Sequence, residues 1–407
     1  MTRPAAGCRT HIGNLGRHMP WLPAAIWAYL AVGRGRYWST SCHLPPLSGP
    51  LPHQWPSVAV IVPARNESSL LPRTLPALLA QDYPGNARVV LVDDQSDDAT
   101  AMSARALAGR PEHRRLGLAV VEGEARPAGW AAKPWAMAQG VAYAMSAPRP
   151  PEWLLFTDAD IWHPPSSLHQ LVASALAGRR EGVSLMARLC TQSRWERLTM
   201  PAFVYFFAQI YPFGWVNDRR RRAAAAAGGC MLVKVSALER AGGIAAIAAA
   251  TIDDVALAKA LKASGASIWL GLAGNGTDGT TPRVESLRSC PRLADIWEMV
   301  ARNAYTQLRQ SPAILVSTLA AMIAVYMAPP ILVGAGLATR RPGVAIAGLS
   351  AWTAMAATYM PMARYYAASP ASSLALPFTS LLYAAMTVDS ARRHRAGGVP
   401  WRDRAPH

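Results

Sequence analysis

"SVAVIVPARNESSLLPRTLPALLAQDYPGNARVVLVDDQSDDAT", Ser57–Thr100, is the stretch that decides the fold. Its first part, Ser57–Glu67, is a β-branched run that ends in proline and polar residues, the pattern of a buried parallel strand opening into a loop. "SLLPRTLPALLAQDYPG" then keeps helical spacing until Tyr83-Pro84-Gly85 stops it, and a second strand-like run begins at Ala87. Strand, helix and strand joined by a crossover make a βαβ unit, which predicts a doubly wound, mostly parallel α/β sheet. Ligands in such sheets sit beyond the carboxyl ends of the strands. Polar clusters fall at those positions: Glu67 after the first strand, Asp93 and Asp94 after the second, and Asp158 and Asp160 after "EWLLF".

The last pair stands in "LLFTDADIWHP", Leu154–Pro164. Residues two apart share one face of a strand, so the two carboxylates are expected to project together and to repel unless a cation lies between them. A divalent metal is the usual resolution. No G-x-G-x-x-G follows the first strand and no G-x-x-x-x-G-K-[ST] occurs, which excludes a classical dinucleotide cofactor and the P-loop nucleotide hydrolases. A carboxylate-rich rim without a glycine cradle has to neutralise phosphates by metal and lysine. Lys133 in "GWAAKPWAMAQG", flanked by Trp130 and Trp135, is the candidate, against the plainer alternative of a solvated loop lysine. In "TIDDVALAKALKASG", Asp253 and Asp254 are expected at a helix N-terminus closed by Gly265, one free to cap while the other faces the site.

Taken in order, "VPARNE", "VDDQSDDAT", the lysine of "AAKPWAMAQG", "TDAD" and "IDDVALAKALKASG" resemble the inverting glycosyltransferases of family 2, which have the GT-A fold. Further segments, among them "QDYPG", "SLMARL", "PAFVYFFAQIYPFGWVND" and "WEMVARNAYTQLRQSP", are similar to the bacterial members associated with hopanoid biosynthesis. The resemblance implies that Pro63, Ala64 and Glu67 border the nucleotide and that Asp93 or Asp94 hydrogen-bonds its base. It further implies that Lys133 approaches the diphosphate, that Asp158 and Asp160 hold the sugar donor and a Mg²⁺ or Mn²⁺ ion, and that Asp254 is the catalytic base with Asp253 beside it. The implied reaction moves a sugar from a nucleotide-sugar donor, a UDP-sugar by expectation, to a lipid hydroxyl in one inverting displacement. A phosphate acceptor of the dolichol-phosphate mannose synthase type, and a non-catalytic membrane scaffold, are the alternatives. "ARNAYTQLRQ" stands where processive members carry Q-x-x-R-W, which favours a single transfer. Ile252 precedes the late acidic pair where many relatives have Glu-Asp.

Outside this body the chain turns apolar. Of its 407 residues, none is charged from Ala313 to Thr339, from Gly343 to Ala363, or from Tyr365 to Val388. Each run is long enough to cross a hydrocarbon core. "MPWLPAAIWAYLAVG", Met19–Gly33, reads as an uncleaved anchor that crosses the bilayer or lies in its interface. The expected organisation is therefore a tail at 1–18, an anchor at 19–36, a GT-A domain at 57–290, an interfacial amphipathic helix at 291–311, two or three spans within 312–389 and a basic tail at 390–407. In the amphipathic segment, Leu293, Trp297, Val300, Ala304 and Leu308 form one stripe. Three spans would leave the basic tail opposite the catalytic domain, against the positive-inside tendency, so the last run is expected to be partly re-entrant or interfacial.

The net charge of +17 concentrates in clusters such as "DRRRR", Asp218–Arg222, beside apolar stretches, which points to an anionic membrane surface and not to nucleic acid. The aromatic segment "RWERLTMPAFVYFFAQIYPFGW", Arg194–Trp215, reads either as embedded in the interface or as core packing. Five cysteines without C-x-x-C spacing fit a reducing compartment. The expected location is the bacterial inner membrane, multi-pass, with the catalytic domain on the cytoplasmic side.

Overall fold

A computed structural model describes residues 19–44, 52–109, 115–274 and 283–396. The tail expected at 1–18, most of the basic tail (397–407) and the centre of the Gly/Thr-rich loop (275–282) lie outside the described residues. The chain divides into two units. One is built from Thr40–Glu196 and Tyr211–Ile296; the other contains the described residues up to Ser39, Arg197–Ile210 and Trp297–Arg392.

The first unit holds β1 (Val58–Ala64), β2 (Ala87–Asp93), β3 (Gly117–Glu122), β4 (Trp153–Phe156), β5 (Ile161–Trp162), β6 (Gly182–Met186), β7 (Met231–Lys234), β8 (Ile268–Leu272) and β9 (Glu285–Ser286). Seven of these form one sheet in the order β3-β2-β1-β4-β7-β6-β8, while β5 and β9 form a separate two-stranded ribbon. Within the sheet β7 alone runs against its neighbours, with Met231 opposite Phe156 of β4. This is the doubly wound, mostly parallel α/β sheet expected from Ser57–Thr100.

Every residue of β1 is buried, as its unbroken apolar run requires of a strand covered on both faces. The helix Leu71–Leu79 lays Leu71, Leu75, Leu78 and Leu79 into the core on one side. On the helix Ala132–Met145, a Cβ at Gly140 would stand 2.7 Å from Ile61 Cγ2 and 3.0 Å from Val92 Cγ2. Only glycine lets that helix approach β1 and β2 so closely, which fixes where its first turn, carrying Lys133, meets the rim.

The second unit is helical. Pro312–Ala338, Pro342–Tyr365 and Pro370–Arg395 are three helical runs of 27, 24 and 26 residues, each long and apolar enough to cross a membrane. The last is one continuous helical run. A 3-10 turn at Pro370–Ala375 feeds straight into the helix Leu376–Arg395, and Pro377 sits in its first turn, where a missing N–H costs nothing. The N-terminal helix, Leu22–Gly33, is about 18 Å long at the usual rise, short of the ~30 Å hydrocarbon core. Its buried Trp27 donates from Nε1 to Val325 O at 2.8 Å, within the π-helical turn Ile323–Met327.

Most of the aromatic segment forms the helix Arg194–Ile210, and Tyr205 and Phe206 pack inside this helical unit. The Tyr205 hydroxyl lies 3.0 Å from that of Tyr37 and 2.8 Å from Thr358 Oγ1, while Phe206 meets Tyr326 and Tyr383 edge to face. The amphipathic segment is the helix Leu293–Gln307. Its buried residues, Ile296, Val300, Ala301 and Tyr305, are centred differently from the expected stripe, because Tyr305 packs with Leu315 and Ala391. In the arginine cluster, Arg219 bonds Ser267 Oγ and Arg179 O, and Arg221 lies over the Trp215 ring.

Candidate active site

The chain leaves β1 outward through β2 and β3 and returns to β4 on the other side of β1, so the strand order reverses between β1 and β4. A crevice at the carboxyl ends is the consequence. Pro63 near the end of β1 and Asp158 just beyond β4 reach it, and reversed β7 contributes the residues that precede it, including Gly228. Lys133 enters from the helix Ala132–Met145, and Asp253 and Asp254 from the first turn of the helix Asp253–Ala263. Pro63, Lys133, Asp158, Gly228, Asp253 and Asp254 line one pocket.

Lys133 Nζ stands 2.8 Å from Asp158 Oδ1 and 3.1 Å from Asp253 Oδ2. Burial works against the ammonium, but the carboxylates of Asp158, Asp253 and Asp254 outweigh it and hold its pKa above the ordinary lysine value. Asp254 Oδ2 accepts from Gly228 N–H at 2.8 Å and Oδ1 from Val255 N–H at 2.7 Å. Burial and the like charge of Asp253 raise the Asp254 carboxyl to about 6, in spite of Lys133 and these two donors. Neither aspartate caps the helix: Ile252 is the N-cap residue and no side chain bonds there, because the helix begins at Asp253 itself.

The loop leading to Gly228 is tied down locally. Lys262 Nζ donates to the carbonyls of Val216, Asp218 and Ala223, and Ala227 N–H donates to Ser184 Oγ at 2.9 Å. A Cβ at Gly228 would lie 3.0 Å from Lys133 Nζ and 3.4 Å from Asp254 Oδ2.

Asp158 and Asp160 do not share a strand face. β4 ends at Phe156, and Asp158 to Asp160 make a turn closed by Ile161 N–H donating to Asp158 O at 3.1 Å. Thr157, before the turn, donates from Oγ1 to Gly229 O at 2.8 Å and lies 2.8 Å from Nε2 of buried His163. The two carboxylates part. Asp158 meets Lys133, and Asp160 Oδ2 accepts from Ser286 Oγ at 2.5 Å with Arg288 Nε 3.6 Å away. Arg288 Nη2 also donates to Glu67 Oε1 at 2.5 Å. Burial opposes the guanidinium charge, but Asp160 and Glu67 prevail and raise its pKa above the ordinary value.

The expected nucleotide-side residues lie at the ends of β1 and β2. Glu67 N–H donates to Thr100 Oγ1 at 2.8 Å, Asp93 Oδ1 accepts from Ser96 Oγ, and fully buried Asp94 accepts from Arg65 Nη1 at its carbonyl, 2.7 Å away. The structure thus gathers Pro63, Lys133, Asp158, Asp253 and Asp254 in one pocket and places Glu67 and Asp160 on Arg288. Ala64, Asp93 and Asp94 fall outside that pocket lining. Sequence reasoning missed Arg288, Ser286 and Gly228.

Among the described residues, no group of three or more His, Cys, Asp or Glu side chains converges as a metal cage. Asp158 and Asp160 nevertheless offer hard oxygens from one turn. That donor set suits Mg²⁺ or Mn²⁺, because ions of the Mg²⁺ type take one or two carboxylates and fill their remaining positions from substrate phosphates and water.

Residues 59–242 match the model of the family described as glycosyl transferase family 2. A 72-residue segment is 42% identical to an N-acetylglucosaminyltransferase of Mesorhizobium japonicum (strain LMG 29417 / CECT 9101 / MAFF 303099), covering 16% of this chain and 16% of that relative. Among solved structures, the chain is similar to a mannosyltransferase from Pyrobaculum calidifontis in complex with GDP-Man and Mn2+. That likeness has a TM-score of 0.49 at 21% identity and covers 93% of this chain and 99% of that one. It is also similar to glucosyl-3-phosphoglycerate synthase from Mycobacterium tuberculosis in complex with Mn2+ and uridine-diphosphate-glucose. There the TM-score is 0.37 at 17% identity, over 62% of this chain and 78% of that one.

Proposed function

We propose that this chain, whose residues 59–242 match glycosyl transferase family 2, is a membrane-bound, inverting enzyme that moves a sugar from a nucleotide-sugar donor to a lipid hydroxyl by a single displacement. The observation that carries this reading is one pocket holding Lys133, Asp158, Asp253 and Asp254 at the switch point of the sheet.

Lys133 and Asp158 lie where a donor diphosphate and its sugar would enter, with Pro63 as one wall. When bound by Asp158 and Asp160, a divalent ion supplies charge stabilisation to the departing diphosphate. Asp253 keeps the ammonium of Lys133 in place by its 3.1 Å ion pair. Asp254 is the base. Held near pKa 6, it is ionised at neutral pH yet more basic than an ordinary aspartate, and each of its oxygens keeps a second lone pair beyond its backbone donor. The acceptor oxygen bonds to the anomeric carbon as the carbon–phosphate-oxygen bond breaks. The acceptor proton passes to Asp254, and the nucleoside diphosphate leaves with the electron pair. One in-line displacement inverts the anomeric centre.

The three long apolar helices support a membrane location and a lipid acceptor. The likeness of the body to hopanoid-associated enzymes makes the polar side chain of a polycyclic lipid the acceptor of choice, with catalysis on the cytoplasmic face of a bacterial inner membrane. The test supplies labelled UDP- and GDP-sugars with membrane lipids to the full chain in detergent and determines the lipid product by NMR. An inverted glycoside on a lipid hydroxyl, lost in Asp254→Asn, supports the reading. Label on a polyprenyl phosphate, with undiminished turnover in Asp254→Asn, overturns it.

A further inference from the structure

Nothing in the transfer chemistry above uses Arg288, although it stands over one of the acids of the D-x-D turn. Its backbone is pinned. Leu287 N–H donates to Asp160 O at 2.9 Å, Ser286 N–H donates to Arg188 O at 2.9 Å, and Cys290 N–H donates to the buried Glu196 carboxylate at 2.6 Å. The movable part is the side chain, which is 37% exposed while those of Glu67 and Asp160 are 4% and 13% exposed.

Its two contacts are unequal. Nη2 makes a 2.5 Å bond to Glu67 Oε1, whereas Nε is 3.6 Å from Asp160 Oδ2, an ion pair too long for a hydrogen bond. A singly charged organic cation therefore lies beside the same carboxylate that is expected to take a divalent ion.

We propose that Arg288 is the resident counter-cation of Asp160: it competes with the divalent ion while no nucleotide is bound, and it turns onto the diphosphate of the donor when one arrives. This rests on the reading of the pocket as a sugar-diphosphate site. A guanidinium fork matches phosphate oxygens in bidentate fashion, and the added negative charge of the diphosphate accommodates both cations. Arg288 then acts twice, as a guard against metal loading of the empty enzyme and as a clamp on the leaving group.

The experiment titrates Mn²⁺ by electron paramagnetic resonance into the full chain in detergent, as wild type, Arg288→Ala and Arg288→Lys, with and without UDP or GDP. Without nucleotide, Arg288→Ala is expected to bind Mn²⁺ about tenfold more tightly, and with Mn²⁺ present it is expected to bind the nucleoside diphosphate about tenfold or more weakly. Arg288→Lys keeps the charge but not the fork, so its nucleotide-free Mn²⁺ affinity stays at the wild-type level while its diphosphate affinity falls. Nucleotide-free Mn²⁺ affinity that is unchanged or weaker in Arg288→Ala overturns the proposal and leaves the reading of the pocket standing. Full diphosphate affinity in Arg288→Lys overturns it as well, whether or not the alanine variant folds. A wild-type protein that takes up no Mn²⁺ with either nucleotide brings down both.

Discussion

Lys133 Nζ lies 2.8 Å from Asp158 Oδ1, joining the first turn of one helix to the residue just beyond β4. The same ammonium is 3.1 Å from Asp253. Removing it leaves a group of acids without their shared cation. Lys133→Met is expected to lower stability by about 3 kcal/mol, the low end for breaking a buried pair because the site is partly open, and to abolish transfer. Thermal unfolding and turnover check this together. Wild-type values for both in Lys133→Met would mean that the lysine is only a solvated surface charge.

Asp254 sets the expected pH dependence. The carboxyl is raised to about 6, and a base works only when ionised, so the rate should fall as pH drops through 6, approaching tenfold per unit below it. Asp254→Asn should lose about 10²- to 10⁴-fold in turnover with donor affinity largely kept. A kcat profile flat from pH 7.5 to 5 contradicts this assignment.

A side chain at Gly228 is expected to leave the fold standing but to slow turnover. A methyl group there would crowd the ammonium of Lys133 at 3.0 Å and the Asp254 carboxylate at 3.4 Å. Displacements well under an ångström at a reacting centre are enough to lower kcat by about tenfold. Gly228→Ala should therefore melt close to the wild type but turn over slowly; full kcat would show that the pocket is looser than its geometry.

These residues differ in how legible they were. The β1 run was plain because a strand buried on both faces must be continuously apolar. Asp253 and Asp254 were plain because they open a stretch of helical spacing. Arg288 was hidden because β9 is a two-residue strand, too short to show any periodicity, and meets β5 across a long sequence separation. Gly228 follows an alanine run whose composition says nothing of what a Cβ would strike. Asp160 departs from the direction a continuous strand would give it, because β4 stops at Phe156 and the chain turns.

Tyr205 gives a prediction for the helical unit. Its hydroxyl joins Tyr37 and Thr358, and Thr358 keeps its bond to Met355 O, so Tyr205→Phe should cost about 0.5–1.5 kcal/mol, the net worth of the lost hydrogen bonds. Thermal unfolding in detergent measures this, and donor binding near the unfolding-free range should be unaltered. An unchanged melting temperature would mean that water replaces the lost hydroxyl.

The central claim is that acids from separate segments converge with Lys133 to hold a sugar diphosphate with a divalent ion. Calorimetric titration of the purified full chain with a panel of nucleotide sugars, with and without Mn²⁺, in wild type and Asp158→Asn, tests it most directly. Saturable binding of at least one nucleotide sugar, strengthened by Mn²⁺ and weakened about tenfold or more in Asp158→Asn, is the expected result. Binding of none in either condition, or binding indifferent to both Mn²⁺ and Asp158, would contradict it.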